Sequence, residues 1–68
     1  MKRVTQVRQE RGWSQSELAR RANLNQATVN QVERGRLVPY EGQLEKLARV
    51  LDIPDCDKES LLEEVPHD

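Results

Sequence analysis

The chain has 68 residues, room for one small domain spanning residues 1–68, at about 100–200 residues per typical domain. Hydrophobic residues are 35% and charged residues 34% of it, and no apolar run exceeds two residues; this excludes a disordered polar chain, a transmembrane span and a signal peptide, and makes the cytoplasm the expected compartment. The net charge of −1 hides an asymmetry: residues 1–36 hold eight basic and three acidic side chains, a balance of +5, whereas residues 37–68 hold three basic and nine acidic, a balance of −6. A split of this kind points to nucleic-acid binding by the basic end.

Few residues are β-branched or aromatic and no stretch alternates, so the chain reads as all-α. A first helix is expected from about 2 to 11, with Val4 and Val7 inward and Gly12 as its stop. Trp13 packs under the following turn. Ser14 and Glu17 then form a capping box, each side chain serving the other's backbone N–H. The second helix buries Leu18, Ala19 and Ala22 and turns Arg20 and Arg21 to solvent. Asn23, a residue tolerant of the left-handed conformation, ends it, and Asn25 caps a third helix that runs to about Arg34 before Gly35. Val29 and Val32 define the buried side of that helix. A fourth helix, about 41–51, carries Leu44, Leu47, Ala48 and Leu51 at helical spacing, weakened at Gly42. Beyond Pro54, Asp55 or Asp57 caps a short acidic helix, about 56–65, carrying Leu61, Leu62 and Val65.

Residues 15–34 are two helices joined by a short turn with small inward residues, the geometry of a helix-turn-helix. The string R-x-x-R-G-W-S-Q-S-E-L-A-R-R-A-N-L-N-Q-A-T-V-N-Q-V-E-R-G, residues 8–35, resembles the helix-turn-helix of phage-repressor and Cro-type regulators, the Xre family. P-Y-E-G-Q-L-E-K-L-A-R-V-L-D-I, residues 39–53, fits it too. The resemblance implies a five-helix domain of the lambda-repressor type acting as a transcriptional regulator. Asn23 stands where the family usually has a turn glycine. Tyr40 and Gly42 stand where a Ser or Thr cap and good helix formers are usual.

At about 3.6 residues per turn, Val29 and Val32 point one way and Ala27, Asn30, Gln31 and Arg34 the other, with Gln26 at the exposed N-terminal end of the third helix. A polar face is also what solvent alone selects. Here it comes with a capped short turn and a basic half, and it carries amides and no acid. Gln and Asn pair bidentately with adenine, and Ala or Thr methyls touch thymine. Residues 25–34 are therefore the expected recognition helix, reading a half-site with A·T pairs from the major groove. The resemblance makes Gln26, Ala27 and Gln31 base-contacting, with Thr28 and Asn30 secondary candidates. Phosphate contacts are expected from Ser14 and Gln15 at a helix N-terminus, and from Arg34, Arg36 and the Tyr40 hydroxyl. The resemblance further implies that Gln15 braces Gln26, and that Arg8 and Glu33 form a structural ion pair between the first and third helices.

The remaining residues support no chemistry. His67 reads as a tail residue, and the lone Cys56 excludes an internal disulfide or a cysteine-rich zinc site. Ser14 and Ser16 have no base nearby. Asp55, Asp57, Glu59, Glu63 and Glu64 lack the glycine turn and ligand spacing of a calcium loop. No metal, cofactor or enzymatic activity is expected. Leu61, Leu62 and Val65 either cover the core or leave an apolar strip for a second copy. The family's habit of binding palindromic operators as homodimers favours the second, with the acidic half facing away from double-stranded DNA. The competing reading is a protein-interaction module, such as an antitoxin or a regulator that meets a partner protein through its acidic half.

Overall fold

The computed structural model describes residues 1–66, so His67 lies outside the described residues. Its elements are α1 (Arg3–Glu10), α2 (Gln15–Arg21), α3 (Gln26–Glu33), α4 (Glu41–Val50) and a 3₁₀ helix (Asp55–Leu62). The fold is all-α, and among the described residues no helix is long and apolar enough to cross a membrane.

Each of the first three helices stops where the local chemistry stops it. Gly12, Asn23 and Gly35 all have positive φ, at 73°, 57° and 75°. The left-handed residue lets the next N–H turn back onto the helix: Trp13 N–H donates to Arg8 O at 3.2 Å and Leu24 N–H to Ala19 O at 2.7 Å. The starts are equally local. Ser14 Oγ accepts from Glu17 N–H at 3.1 Å, and Asn25 Oδ1 from Ala27 N–H at 2.7 Å. The capping box at Ser14 is only half made. The Glu17 carboxylate holds Arg20 at 2.6 Å and Arg21 at 2.7 Å instead of reaching back, because both arginines lie within one turn of it. Those contacts keep the Glu17 carboxyl below its ordinary range, chiefly through the Arg20 hydrogen bond.

α4 starts with the opposite half of a capping box. Tyr40 has no capping hydroxyl within reach, but Gln43 Oε1 accepts from the Tyr40 N–H at 3.0 Å. Its stop is Asp52, a non-glycine residue at φ 58°, after which Ile53 N–H donates to Ala48 O at 2.8 Å. Arg11 secures this corner from α1, donating to Leu51 O at 2.8 Å and to Asp52 Oδ2 at 3.2 Å.

The core is built from one or a few residues per element. Val4 comes from α1, Leu18 and Ala19 from α2 with Ala22 just beyond, Val29 and Val32 from α3, Leu44, Leu47 and Ala48 from α4 with Leu51, and Leu61 from the 3₁₀ helix. Val7, Trp13 and Leu24 pack against it from the rim. Ala19 and Ala22 let α2 approach α3 closely, and this pair forms the most intimate packing in the molecule.

The C-terminal piece departs from expectation. It is a 3₁₀ helix that ends at Leu62, not an α-helix reaching residue 65. Val65 instead runs extended beside the N-terminus: its N–H donates to Met1 O at 2.8 Å, next to a bridge between Lys2 and Glu64. Lys58 is buried and donates to Glu41, Asp55 and Glu45, each at 3.2 Å. Burial opposes its charge, but the three carboxylates outweigh burial and raise its pKa above the ordinary lysine range.

Candidate nucleic-acid interface

α3 presents a face that the core does not use. Gln26 and Ala27 are exposed, and Thr28 and Gln31 are half-exposed; Asn25, Gln26, Ala27, Asn30 and Gln31 line a shallow open hollow on it. Arg34 and Arg36 are exposed just past the end of the helix, and Tyr40 is 77% exposed beyond them. At the start of α2, Ser14 is exposed and Gln15 is half-buried.

Behind this face lies a polar cluster tying α1, α2 and α3 together. Arg8 grips Glu33 with both arms of its guanidinium, Nε to Oε2 at 2.8 Å and Nη2 to Oε1 at 3.2 Å. The two side chains are only 12% and 5% exposed. Arg8 Nη1 also donates to Trp13 O at 2.7 Å. Gln15 Nε2 donates to Glu33 Oε1 at 2.9 Å, and Asn30 Nδ2 donates to Gln15 Oε1 at 3.1 Å. Gln15 therefore braces Asn30 rather than Gln26. The two α3 residues are four apart and share a face, but it is the second turn of α3, not the first, that comes within reach of Gln15. Asn30, expected to stand free, is already engaged.

Two arginines left to solvent by sequence reasoning have partners. Arg21 lies over the Trp13 ring at 4.6 Å from its centroid, as Arg11 does at 5.4 Å, and also pairs with Glu17. Arg20 pairs with Glu17 alone. The Trp13 contacts carry no sequence signature, because they need α1, α2 and the turn between them to be in place.

The charge asymmetry takes a different form in three dimensions. Lys2 meets Glu64 at 3.2 Å, Arg3 meets Asp57 at 3.3 Å and Arg11 meets Asp52 at 3.2 Å; Arg3 also donates to Ser60 Oγ. The acidic half is thus stitched onto the basic half instead of being set apart from it. Of the eight basic side chains in residues 1–36, six are in internal ion pairs; Arg34 and Arg36 have none among the described residues. The free positive charge of that half sits at the end of α3.

Of the three residues expected at a subunit interface, Leu61 is 0% exposed and belongs to the core. Leu62 and Val65 are half-buried. Leu62 lines a groove with Val38, Pro39 and Leu44 and with the charged Glu41, Lys58 and Glu59, and Val38 in it is 80% exposed.

Comparison with known proteins meets the same residues. A family profile described as "Helix-turn-helix domain" matches residues 2–61. The chain is 41% identical over 51 residues to the HTH-type transcriptional regulator SutR of Escherichia coli K12, covering 75% of this chain and 29% of that protein. It is 41% identical over 50 residues to Multiprotein-bridging factor 1 of Schizosaccharomyces pombe, covering 74% of this chain and 34% of that one. The chain thus spans about a third or less of the length of these relatives. No solved structure matches. With the profile running from α1 into the 3₁₀ helix and the two stops, two caps and small inward residues of α2 and α3 in register, the chain belongs to the helix-turn-helix family of Xre-like regulators.

Proposed function

We propose that this chain is the sequence-specific, double-stranded-DNA-binding domain of a transcriptional regulator, without catalytic activity, with α3 lying in the major groove. The observation that carries this is the outward face of α3, which combines exposed amide and methyl groups with no acid and ends in the two unpaired cations Arg34 and Arg36. Gln26 and Gln31 are the base readers, each able to pair bidentately with adenine, and Ala27 and Thr28 offer methyl contacts to thymine. Ser14, Gln15, Arg34, Arg36 and Tyr40 are the phosphate contacts that set its register.

One α3 reads too few base pairs for useful selectivity, so two copies on a palindromic operator complete the reading. The groove lined by Leu62, Leu44, Pro39 and the exposed Val38 supports a second copy docking there, away from the buried Leu61. The same apolar side chains support the competing reading, in which a partner protein occupies the groove; one relative's name, Multiprotein-bridging factor, is of that kind.

Selection of duplexes from a random pool, followed by mass determination of the complex, tests both. The expected outcome is a two-fold symmetric site rich in A·T pairs at each half, bound by two chains, with affinity falling steeply as salt rises. Enrichment of no sequence at low salt would overturn the DNA reading.

A further inference from the structure

Asn30 is set apart from the rest of the α3 face by being engaged before any ligand arrives. Its Nδ2 donates to Gln15 Oε1, and Gln15 Nε2 donates to Glu33 Oε1. The direction of this chain is forced from its buried end. Glu33, paired to Arg8 and 5% exposed, is a carboxylate that only accepts. Gln15 must turn its amino group to Glu33 and so its carbonyl oxygen to Asn30. Asn30 must then donate. Flipping Gln15 would set oxygen against oxygen at Glu33, and flipping Asn30 would do the same at Gln15.

We propose that Asn30 is a positioning residue: with Glu33 it locks the Gln15 amide in the orientation that grips a DNA phosphate, and it reads no base itself. This rests on α3 being the recognition helix. Glu33 takes one of the two amide hydrogens of Gln15 and leaves the other as a donor, which suits a phosphate oxygen and is indifferent to sequence. A free glutamine loses rotamer freedom when it makes such a contact. Gln15, held at both its oxygen and its nitrogen, has lost that freedom already, so the contact forms without that cost. Because the lock spans α2 and α3, it also fixes the phosphate contact relative to the bases under Gln26 and Gln31.

The test uses the full chain, its selected duplex, and three variants: Gln15→Ala, Asn30→Ala and the double variant. Each single substitution is expected to weaken binding about five-fold, the value of one ordinary hydrogen bond. The double variant is expected to lose about the same factor, not its square, because both substitutions remove one contact. Ethylation of one backbone phosphate, which blocks the wild-type chain, is expected to lose its effect in both single variants. Duplex selection with Asn30→Ala is expected to return the wild-type sequence. A purely structural role for Asn30 moves neither the coupling nor the single-phosphate signal. Thermal melts check folding; should Asn30→Ala be unfolded at the assay temperature, Asn30→Ser carries the same expectations. A changed preference at one base pair, or losses that multiply in the double variant, overturns the positioning role alone. A wild-type chain that selects no duplex overturns the DNA reading, and this proposal with it.

Discussion

The α2–α3 unit and the C-terminal segment are held in opposite ways. Within residues 14–35, the stops and starts are made by neighbours: Ser14 with Glu17, Asn25 with Ala27, and the left-handed Asn23 and Gly35. Residues 55–65 add to their local bonds a set of side-chain and backbone partners remote in sequence. Lys58 reaches Glu41 and Glu45, Asp57 and Ser60 meet Arg3, and Val65 pairs with Met1. A unit that specifies itself locally can present a face to a ligand without support from that face. A segment specified at long range serves instead as the clasp that joins the two ends of the chain.

The comparison breaks most sharply at the ion pair that ties the local unit to α1, Arg8–Glu33. Arg8→Ala leaves a nearly buried carboxylate with Gln15 as its remaining side-chain donor. Breaking a buried pair by removing one partner costs about 3–5 kcal/mol, a large share of what a domain this small has. Thermal denaturation should show a much lower Tm, and DNA binding should fall with it; an unchanged Tm would refute the structural role of the pair. The matching break in the clasp is Leu61→Ala. Leu61 is fully buried, and a substitution of this kind costs about 2–5 kcal/mol. Hydrogen exchange should then show residues 55–65 opening well before α2 and α3; uniform loss of protection would mean that the two regions do not differ as described.

The same contrast sets what the amino-acid order discloses. The helix-turn-helix, its buried side and the amide face of α3 are legible because each depends on residues within one or two turns. The 3₁₀ form of residues 55–62 is not, since nothing local separates it from a short α-helix. Asp52 as the stop of α4 was hidden by Pro54, which looks sufficient by itself, and depends on Arg11 arriving from α1. The engagement of Asn30 was hidden by helical periodicity, which gives a direction but not the neighbour on another helix. The charge balance points to nucleic acid but does not locate the free charge, because it counts side chains and ignores the three side-chain pairs that join the two halves.

If the α3 face reads bases, Gln31→Ala should cost about 1–3 kcal/mol on the selected duplex and relax preference at one base pair. Equal loss on every sequence would show that Gln31 is not a reader. Arg34→Ala and Arg36→Ala should act differently. Each should weaken binding to all duplexes and reduce the slope of log K against log salt by about 0.9. Because the other six basic groups of residues 1–36 are paired internally, the corresponding slope changes on neutralising Arg20 or Lys2 should be near zero.

The smallest effect concerns acid. Glu17 in the local unit and Glu64 in the clasp both have carboxyls held below their ordinary value of 4.5, the first mainly by the Arg20 hydrogen bond and the second mainly by Lys2. A group depressed in the folded state binds fewer protons there than in the unfolded state. Its contribution to stability is therefore present above 4.5 and is lost as pH falls through the lower folded value. Glu64 is exposed, and the arginines that hold the half-buried Glu17 are exposed too; pairs of this kind are worth little. Glu17→Gln and Glu64→Gln should each lower Tm slightly at neutral pH, and the deficit should vanish as the solution is acidified, because the wild-type carboxyl is then neutral too. Adding salt should shrink the same deficit. The two variants should differ in where the loss appears: Glu17→Gln loosens the start of α2, and Glu64→Gln loosens the pairing of the chain ends. A deficit that persists in acid would mean that the side chain acts through packing, with the ion pair contributing nothing.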